Sequence, residues 1–232
     1  MIRIAEIFES IQGEGERAGV DSIFVRTSGC NLRCSWCDTP YASWNPEGGA
    51  HDWKTLAREV VAKPAGDVVL TGGEPMLVPD LVPLSHALAE AGKTITIETA
   101  GTVLPSDIDP VACDLMSISP KLANSTPDVA EHPDWAARHD ARRDRPDVIA
   151  ELTDRYRHQF KFVVDEPHDL NAIDDYIATH GIDRSRVFVM PQATDAQTLR
   201  SKSDWLTPLA DARGLRISPR LHVERWGNRR GV

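Results

Sequence analysis

Short apolar runs rich in β-branched residues recur along the chain, separated by longer amphipathic stretches. The runs are SIFVRTS (22–28), DVVLTGG (67–73), KTITIET (93–99), DLMSIS (114–119), HQFKFVV (158–164), RVFVMPQ (186–192) and LRIS (215–218). Gly, Pro, Asp or Ser bounds each of them, which predicts strands. Between them WKTLAREVVAK (53–63), VPDLVPLSHALAEAG (78–92), PHDLNAIDDYIATH (167–180) and AQTLRSKSDWLTPLADA (196–212) carry helical spacing. Asp165 and Asp195 stand where N-caps belong, and Gly92, Gly181 and Gly214 stand where helices stop. Alternating strands and helices imply right-handed crossovers and a mainly parallel sheet. Six or so such units predict a partial (β/α)6 barrel, one α/β domain over 1–232, with its site at the C-terminal ends of the strands. Residues 123–157 break the rhythm: they are long, charged and Pro-punctuated. Pro146 opens a helix through Ile149 and Leu152, and the earlier half reads as an exposed, charged excursion.

Composition adds exclusions. The 232 residues are 41% hydrophobic and 26% charged, ordinary for a soluble globular protein. A formal net charge of −9 argues against broad nucleic-acid binding, which needs clustered Lys and Arg to neutralise phosphates. Arg220, Arg225, Arg229 and Arg230 crowd the last thirteen residues, as a solvated tail or a local basic patch. Arg3 and Glu6 interrupt the opening apolar stretch, so it does not read as a secretory signal. No run approaches the roughly 20 apolar residues of a membrane span. The expected location is therefore cytoplasmic, with thiols kept reduced.

Cysteine spacing carries the first chemical signal. Cys30, Cys34 and Cys37 place three of the four cysteines directly after the 22–28 strand. Three thiolates from one loop hold a 4Fe–4S cluster with one iron left open to another ligand. The alternatives are a zinc site completed by a distant histidine, which wants four closed ligands, or incidental thiols. Cys113 stands apart and reads as a core thiol.

Cys-x3-Cys-x-aromatic-Cys, with Trp36 at the aromatic position, resembles the signature of radical S-adenosylmethionine (SAM) enzymes. Thr71-Gly72-Gly73-Glu74-Pro75 resembles that superfamily's GGEP motif. The superfamily's partial (β/α)6 barrel agrees with the strand count. The resemblance implies a 4Fe–4S cluster on the three cysteines, S-adenosylmethionine on its open iron, and reductive cleavage to a radical that abstracts a substrate hydrogen. An external electron donor such as flavodoxin or ferredoxin is then required. Ser35, Trp36, Cys37, Gly73, Glu74, the Ser119-Pro120-Lys121 turn and Met190-Pro191-Gln192 are the positions the resemblance assigns to S-adenosylmethionine.

More narrowly, IQGEG (11–15), CNLRCSWCDT (30–39), TGGEP (71–75), IET-x-G (97–101), SPK (119–121) and SPRLHVERWGN (218–228) resemble the 7-carboxy-7-deazaguanine synthase family. That family acts in 7-deazapurine and queuosine biosynthesis, converting 6-carboxy-5,6,7,8-tetrahydropterin to the deazaguanine with loss of ammonia. A pterin edge wants paired donors and acceptors, which Gln12, Glu14 and the backbone at Ile11 and Gly13 supply. A carboxylate wants a guanidinium, and Arg26 is the candidate. Thr71, Glu98 and His222 complete the expected substrate set. The family depends on Mg²⁺; carboxylate chemistry alone nominates Asp38, whereas the resemblance places the ligand at Thr39. Homodimerisation is implied by resemblance alone. Ala100 stands where Asn is expected in IET-x-G. The rival readings are a glycyl-radical activating enzyme acting on a protein partner, and a non-enzymatic zinc or iron–sulfur binding module.

Overall fold

The computed structural model describes residues 1–106 and 109–232. Its strands are β1 (Ile2–Ile11), β2 (Asp21–Thr27), β3 (Gly49–His51), β4 (Asp67–Gly72), β5 (Thr94–Thr99), β6 (Leu115–Ile118), β7 (His158–Val164), β8 (Val187–Pro191) and β9 (Arg216–Ile217). They form one open sheet in the order β3-β1-β2-β4-β5-β6-β7-β8-β9. Every predicted run is a strand, and from β2 to β9 each pairs in parallel with the next in that order. This is the mostly parallel, unclosed sheet of a partial barrel.

β1 and β3 were not among the predicted strands. Both are antiparallel, β1 lying between β2 and β3. The register of β1 slips between Ile4 and Glu6. Ile2 and Ile4 therefore face the core, while Glu6 and Phe8 face the opposite side and line a cavity. A bulge that exchanges the two faces mid-strand erases the simple alternation by which a strand is read.

The helices are α1 (Trp53–Val61), α2 (Leu81–Glu90), α3 (Pro133–Arg143), α4 (Pro146–Arg155), α5 (Asp169–His180), α6 (Ala196–Asp211) and α7 (Leu221–Trp226). Asp195 caps α6 by accepting from the Gln197 and Thr198 amides. Gly181 ends α5 in a left-handed conformation at φ 63°. Asp165 does not cap α5. Asp169, inside the first turn, accepts instead from the Asp165 and Glu166 amides at 2.8 and 3.0 Å, and Asp165 pairs with Lys202.

The earlier half of the charged excursion is a second correction, since α3 is helical, whereas α4 is the helix expected from Pro146. α4 buries Val148, Ile149 and Leu152 in the main core. α3 has almost no apolar stripe and buries Ala136 and His139. Its inward face is a hydrogen-bonded histidine, which hydropathy periodicity does not register.

Successive strand residues face opposite sides, and here the sides differ in chemistry. Ile23, Val25, Val68, Leu70, Ile95, Ile97, Met116, Ile118, Phe160, Phe162 and Val189 belong to one apolar core with helices that include α2, α4 and α5. The Phe162 ring meets Tyr176 of α5 edge-on at 5.4 Å. The other parity carries Arg26, Thr71, Glu98, Ser117, Gln159 and Lys161. A parallel sheet covered on both faces normally reads as continuously apolar. Polar residues on this inner face, some fully buried, mark the functional side.

Candidate active site

Two loops meet at the carboxyl ends of β2 and β4. Gly73 N–H donates to Thr27 O at 3.2 Å and Glu74 N–H to Gly29 O at 2.9 Å. A Cβ on Gly73 would stand 2.2 Å from Gly29 O and 2.5 Å from Ala42 O, both backbone atoms that cannot swing aside. Glycine here lets the β4 loop lie directly against the cysteine loop. Gly73→Ala is expected to cost about 2–3 kcal/mol by overpacking; a urea midpoint within error of the unsubstituted chain would contradict this contact.

These loops open into a cavity of about 480 Å³ whose wall includes Cys30, Cys34 and Cys37. All four cysteines are free thiols. Burial pushes the Cys30 thiol up to about 12, with the nearby Glu74 carboxylate adding to the rise. Burial also raises Cys34 to about 12, although Lys121 works against it. Ligation needs thiolates, so a bound metal would take the place of these protons. Among the described residues no three His, Cys, Asp or Glu side chains gather as a ready single-ion shell. A multi-iron cluster needs thiols spread around a common cavity, one at each of three corners, and this arrangement fits it.

Opposite the thiols lies a buried network of charge. Lys161 Nζ donates to Glu14 at 2.7 Å and to Glu98 at 3.0 Å. Glu14 also accepts from Arg220 Nε at 3.1 Å, and Arg220 reaches Asp38 at 2.8 Å. Gln12 donates to Glu98 at 3.3 Å, and Thr71 donates to the other Glu98 oxygen at 3.0 Å. Burial would raise the Glu14 carboxyl, but Lys161, Arg220 and His222 outweigh it and hold the group well below the usual carboxylate range. Burial likewise pulls the Lys161 ammonium down, and Glu14 with Glu98 outweighs it to hold the group above its ordinary value. Glu14 and Lys161 thus stand as a buried ion pair in this wall, with further donors and acceptors around them.

Arg26 projects from β2 onto the cavity wall, with Nε 2.6 Å from Glu6. Glu6 also accepts from Tyr41 Oη at 2.7 Å and Arg230 Nε at 3.2 Å. The Arg26 guanidinium is thus already paired, and an incoming carboxylate would share it with Glu6. His222 lies against Gly13, where a Cβ would come within 2.1 Å of its Nδ1. Burial lowers His222 below its ordinary value, and Arg220 and Lys161 add to the effect against Glu14 and Asp38.

The cavity brings together most of the residues predicted from sequence. Ile11, Gln12, Gly13, Glu14, Arg26, Thr71, Glu98 and His222 line it, as do Trp36, Thr39 and Gly73. Ser119, Lys121, Met190 and Gln192 complete its far side. Lys121 Nζ bonds Ser119 and lies 5.9 Å from the Trp36 ring. Ser35, Glu74, Pro120 and Pro191 are not on the wall. Glu74 is fully buried, its oxygens taken by the Met76 and Ala100 amides and by Thr99 Oγ1. The bonds from Thr99 and Ala100 brace the β4 loop against the end of β5, and the bond from Met76 is local to the loop. Burial holds Glu74 above the ordinary carboxylate range despite the donors.

Sequence reading missed Lys161 and the role of Arg220. Lys161 was hidden in an apolar strand, although a lysine at the inward parity of a central parallel strand is itself a signal. Arg220 was grouped with the tail arginines, yet its side chain is only 5% exposed and joins the loop after β1 to the segment after β9.

The fold and the three-thiol cavity together define a radical-SAM-type partial barrel. Residues 24–168 match the radical SAM superfamily. The chain is 44% identical over 230 residues to a 7-carboxy-7-deazaguanine synthase of Rhodopirellula baltica, covering 99% of this chain and 88% of that protein. It is 42% identical to the synthase of that name from Halobacterium salinarum, covering 97% and 90% of the two chains. The crystal structure of QueE from Escherichia coli superposes with a TM-score of 0.70 at 26% identity, covering 94% of this chain and 92% of that one. The chain belongs to the 7-carboxy-7-deazaguanine synthase family of the radical SAM superfamily.

Proposed function

We propose that this chain converts 6-carboxy-5,6,7,8-tetrahydropterin to 7-carboxy-7-deazaguanine with loss of ammonia, as a Mg²⁺-dependent carbon–nitrogen lyase. The observation that carries this reading is the Gln12–Glu14–Lys161–Glu98 network facing the three cysteines across one cavity. A nitrogen-rich bicyclic ring with a carboxylate needs paired donors and acceptors along one edge and a guanidinium at one corner, and this wall supplies both.

In this reading Cys30, Cys34 and Cys37 hold the 4Fe–4S cluster. Once loaded, the cluster would supply the one-electron chemistry by which S-adenosylmethionine activates the substrate. Trp36, Gly73, Ser119, Lys121, Met190 and Gln192 surround the cofactor; Ser35, Glu74, Pro120 and Pro191 belong to the loops that shape its site. Gln12, Glu14 and Glu98 hold the ring, with the Ile11 and Gly13 backbone beside them. Arg26 takes the substrate carboxylate in exchange for part of its bond to Glu6. Lys161 holds both glutamates in place, and His222 closes the cavity over Gly13. Thr39 is the protein ligand to Mg²⁺. Thr39 lines the cavity, and among the described residues the one hydrogen-bond partner of its hydroxyl is Cys37 Sγ, at 3.8 Å. An oxygen donor in that position suits a hard cation completed by substrate and water.

The deciding experiment is anaerobic turnover by the reduced, reconstituted chain with the tetrahydropterin, S-adenosylmethionine and Mg²⁺. Deazaguanine product is expected; 5′-deoxyadenosine formed without it would assign another substrate. Thr39→Ala is expected to blunt the Mg²⁺ response while iron and sulfide content stay unchanged. Loss of the cluster in that variant would refute the separation of the two metal sites. The same reading makes the chain a cytoplasmic homodimer served by an external one-electron donor such as flavodoxin or ferredoxin. Sedimentation at micromolar concentration tests the dimer. Among the described residues no helix is long and apolar enough to cross a membrane.

A further inference from the structure

His139, from the segment expected to be an exposed excursion, has no solvent-exposed surface and sits beneath the cysteine loop. Its Nδ1 is 3.1 Å from the Arg33 amide nitrogen, and its Nε2 is 2.9 Å from Ser125 Oγ. A backbone N–H can only donate, so Nδ1 accepts and the ring proton resides on Nε2. Ser125 Oγ receives that proton's hydrogen bond and passes its own hydrogen to Leu122 O at 2.6 Å. The chain of donors runs in one direction and requires a neutral imidazole. Burial lowers His139 to about 4, in keeping with that.

The same few residues hold the other side of the loop. Ser125 O accepts from the Ser35 amide at 2.9 Å, and Asn124 O accepts from Trp36 Nε1 at 3.0 Å. Cys34 O accepts from Trp44 Nε1 at 3.0 Å, and the Trp44 ring packs on His132, just before α3, with centroids 4.7 Å apart. The Arg33 guanidinium bonds Cys30 O at 2.8 Å and stacks on Trp135 of α3 at 4.1 Å. Cys34 is therefore bracketed: the amide before it is tied to His139, the amide after it to Ser125, and its own carbonyl to Trp44.

We infer that His139 and Ser125 are positioning residues for Cys34, fixing the peptides on both sides of the middle thiol before any iron binds. Neither residue touches the cavity; both act through the loop backbone. The link to catalysis rests on the cluster reading above, whereas the restraint on the loop does not. A preset middle ligand lowers the ordering cost of assembling the cluster and holds one corner when the others are exchanged.

The test starts with the full-length apo chain under reducing conditions, labelling thiols with iodoacetamide and resolving the four cysteines by mass spectrometry. Cys113 lies off the cavity wall, bonded to Ile95 O, and serves as an internal control. His139→Phe keeps a planar aromatic ring and removes both bonds. Cys34 labelling is expected to rise about tenfold with Cys113 unchanged, the factor that 1.4 kcal/mol of lost restraint gives. His139→Asn, which retains an acceptor, is expected to recover part of the protection. After reconstitution, His139→Phe should hold less iron per chain and give a broadened signal from the reduced cluster in electron paramagnetic resonance. Unchanged Cys34 labelling, or Cys113 rising in step with it, would overturn the assignment. Should His139→Phe not fold, Ser125→Ala carries the same measurement, since it strands the imidazole proton without altering volume in the core.

Discussion

Lys161→Met is expected to destabilise the chain by about 3 kcal/mol and to abolish turnover. Methionine fills a similar volume, so packing is nearly conserved and the effect isolates the charge. Removing one partner of a buried ion pair costs about 3–5 kcal/mol because the remaining charge is left without compensation. Two carboxylates, Glu14 and Glu98, lose the cation between them. Arg220 still faces Glu14, which puts the loss at the lower end of that range. Urea unfolding of the double variant Lys161→Met/Glu98→Gln should regain part of the stability, since it removes the more exposed orphan. If the single variant unfolds within 1 kcal/mol of the unsubstituted chain, the network is not the charged unit described above.

Acid should weaken the fold well before the carboxylates titrate. His139 is neutral in the folded chain, lowered to about 4 from 6.5 by burial. Such a group contributes fully above its unfolded value. Below about 6.5 the unfolded chain takes up a proton that the folded chain refuses, so stability falls until the pH reaches the folded value. Across that window the loss attributable to His139 is about 3 kcal/mol at 1.36 kcal/mol per unit. His222 is lowered as well and acts in the same direction. Below about 4.5 Glu14 and Glu6, both held low, add a second phase of loss as they approach their folded values. Glu74, raised by burial, takes up its proton in the folded chain above about 4.5 and so opposes the first phase instead. Denaturant midpoints between pH 7 and 4 check the first phase. His139→Asn should flatten it, and a profile unchanged by that substitution would remove His139 as its source.

The parallel strands were legible because each is a short β-branched run cut off by turn residues. The helices α1, α2, α5 and α6 were legible by spacing, with caps correct where the chemistry was local, as at Asp195. Legibility failed where structure depends on a partner. β1 carries a bulge that exchanges its faces, and α3 buries a histidine satisfied by the cysteine loop. The cysteine and GGEP loops announced themselves because thiols and glycines answer to narrow demands. Lys161 did not, because its meaning lies in Glu14 and Glu98, brought to it by pairing across the sheet. Glu74 illustrates the converse: a motif residue whose carboxylate is spent on bracing the backbone.

The cavity wall is assembled from sequence extremes. Gly15 N–H donates to Ser218 Oγ across 203 positions, Arg220 meets Glu14 across 206, and the Leu221 amide donates to Gly13 O at 3.1 Å. During vectorial synthesis the cysteine and β4 loops have emerged by residue 74, and the residues that brace them by residue 139. The Glu14–Arg220 corner cannot exist until nearly the whole chain has followed. Birth order thus separates the metal-holding half of the site from the ring-holding half, and a stalled or truncated chain would carry its thiols without the wall they face.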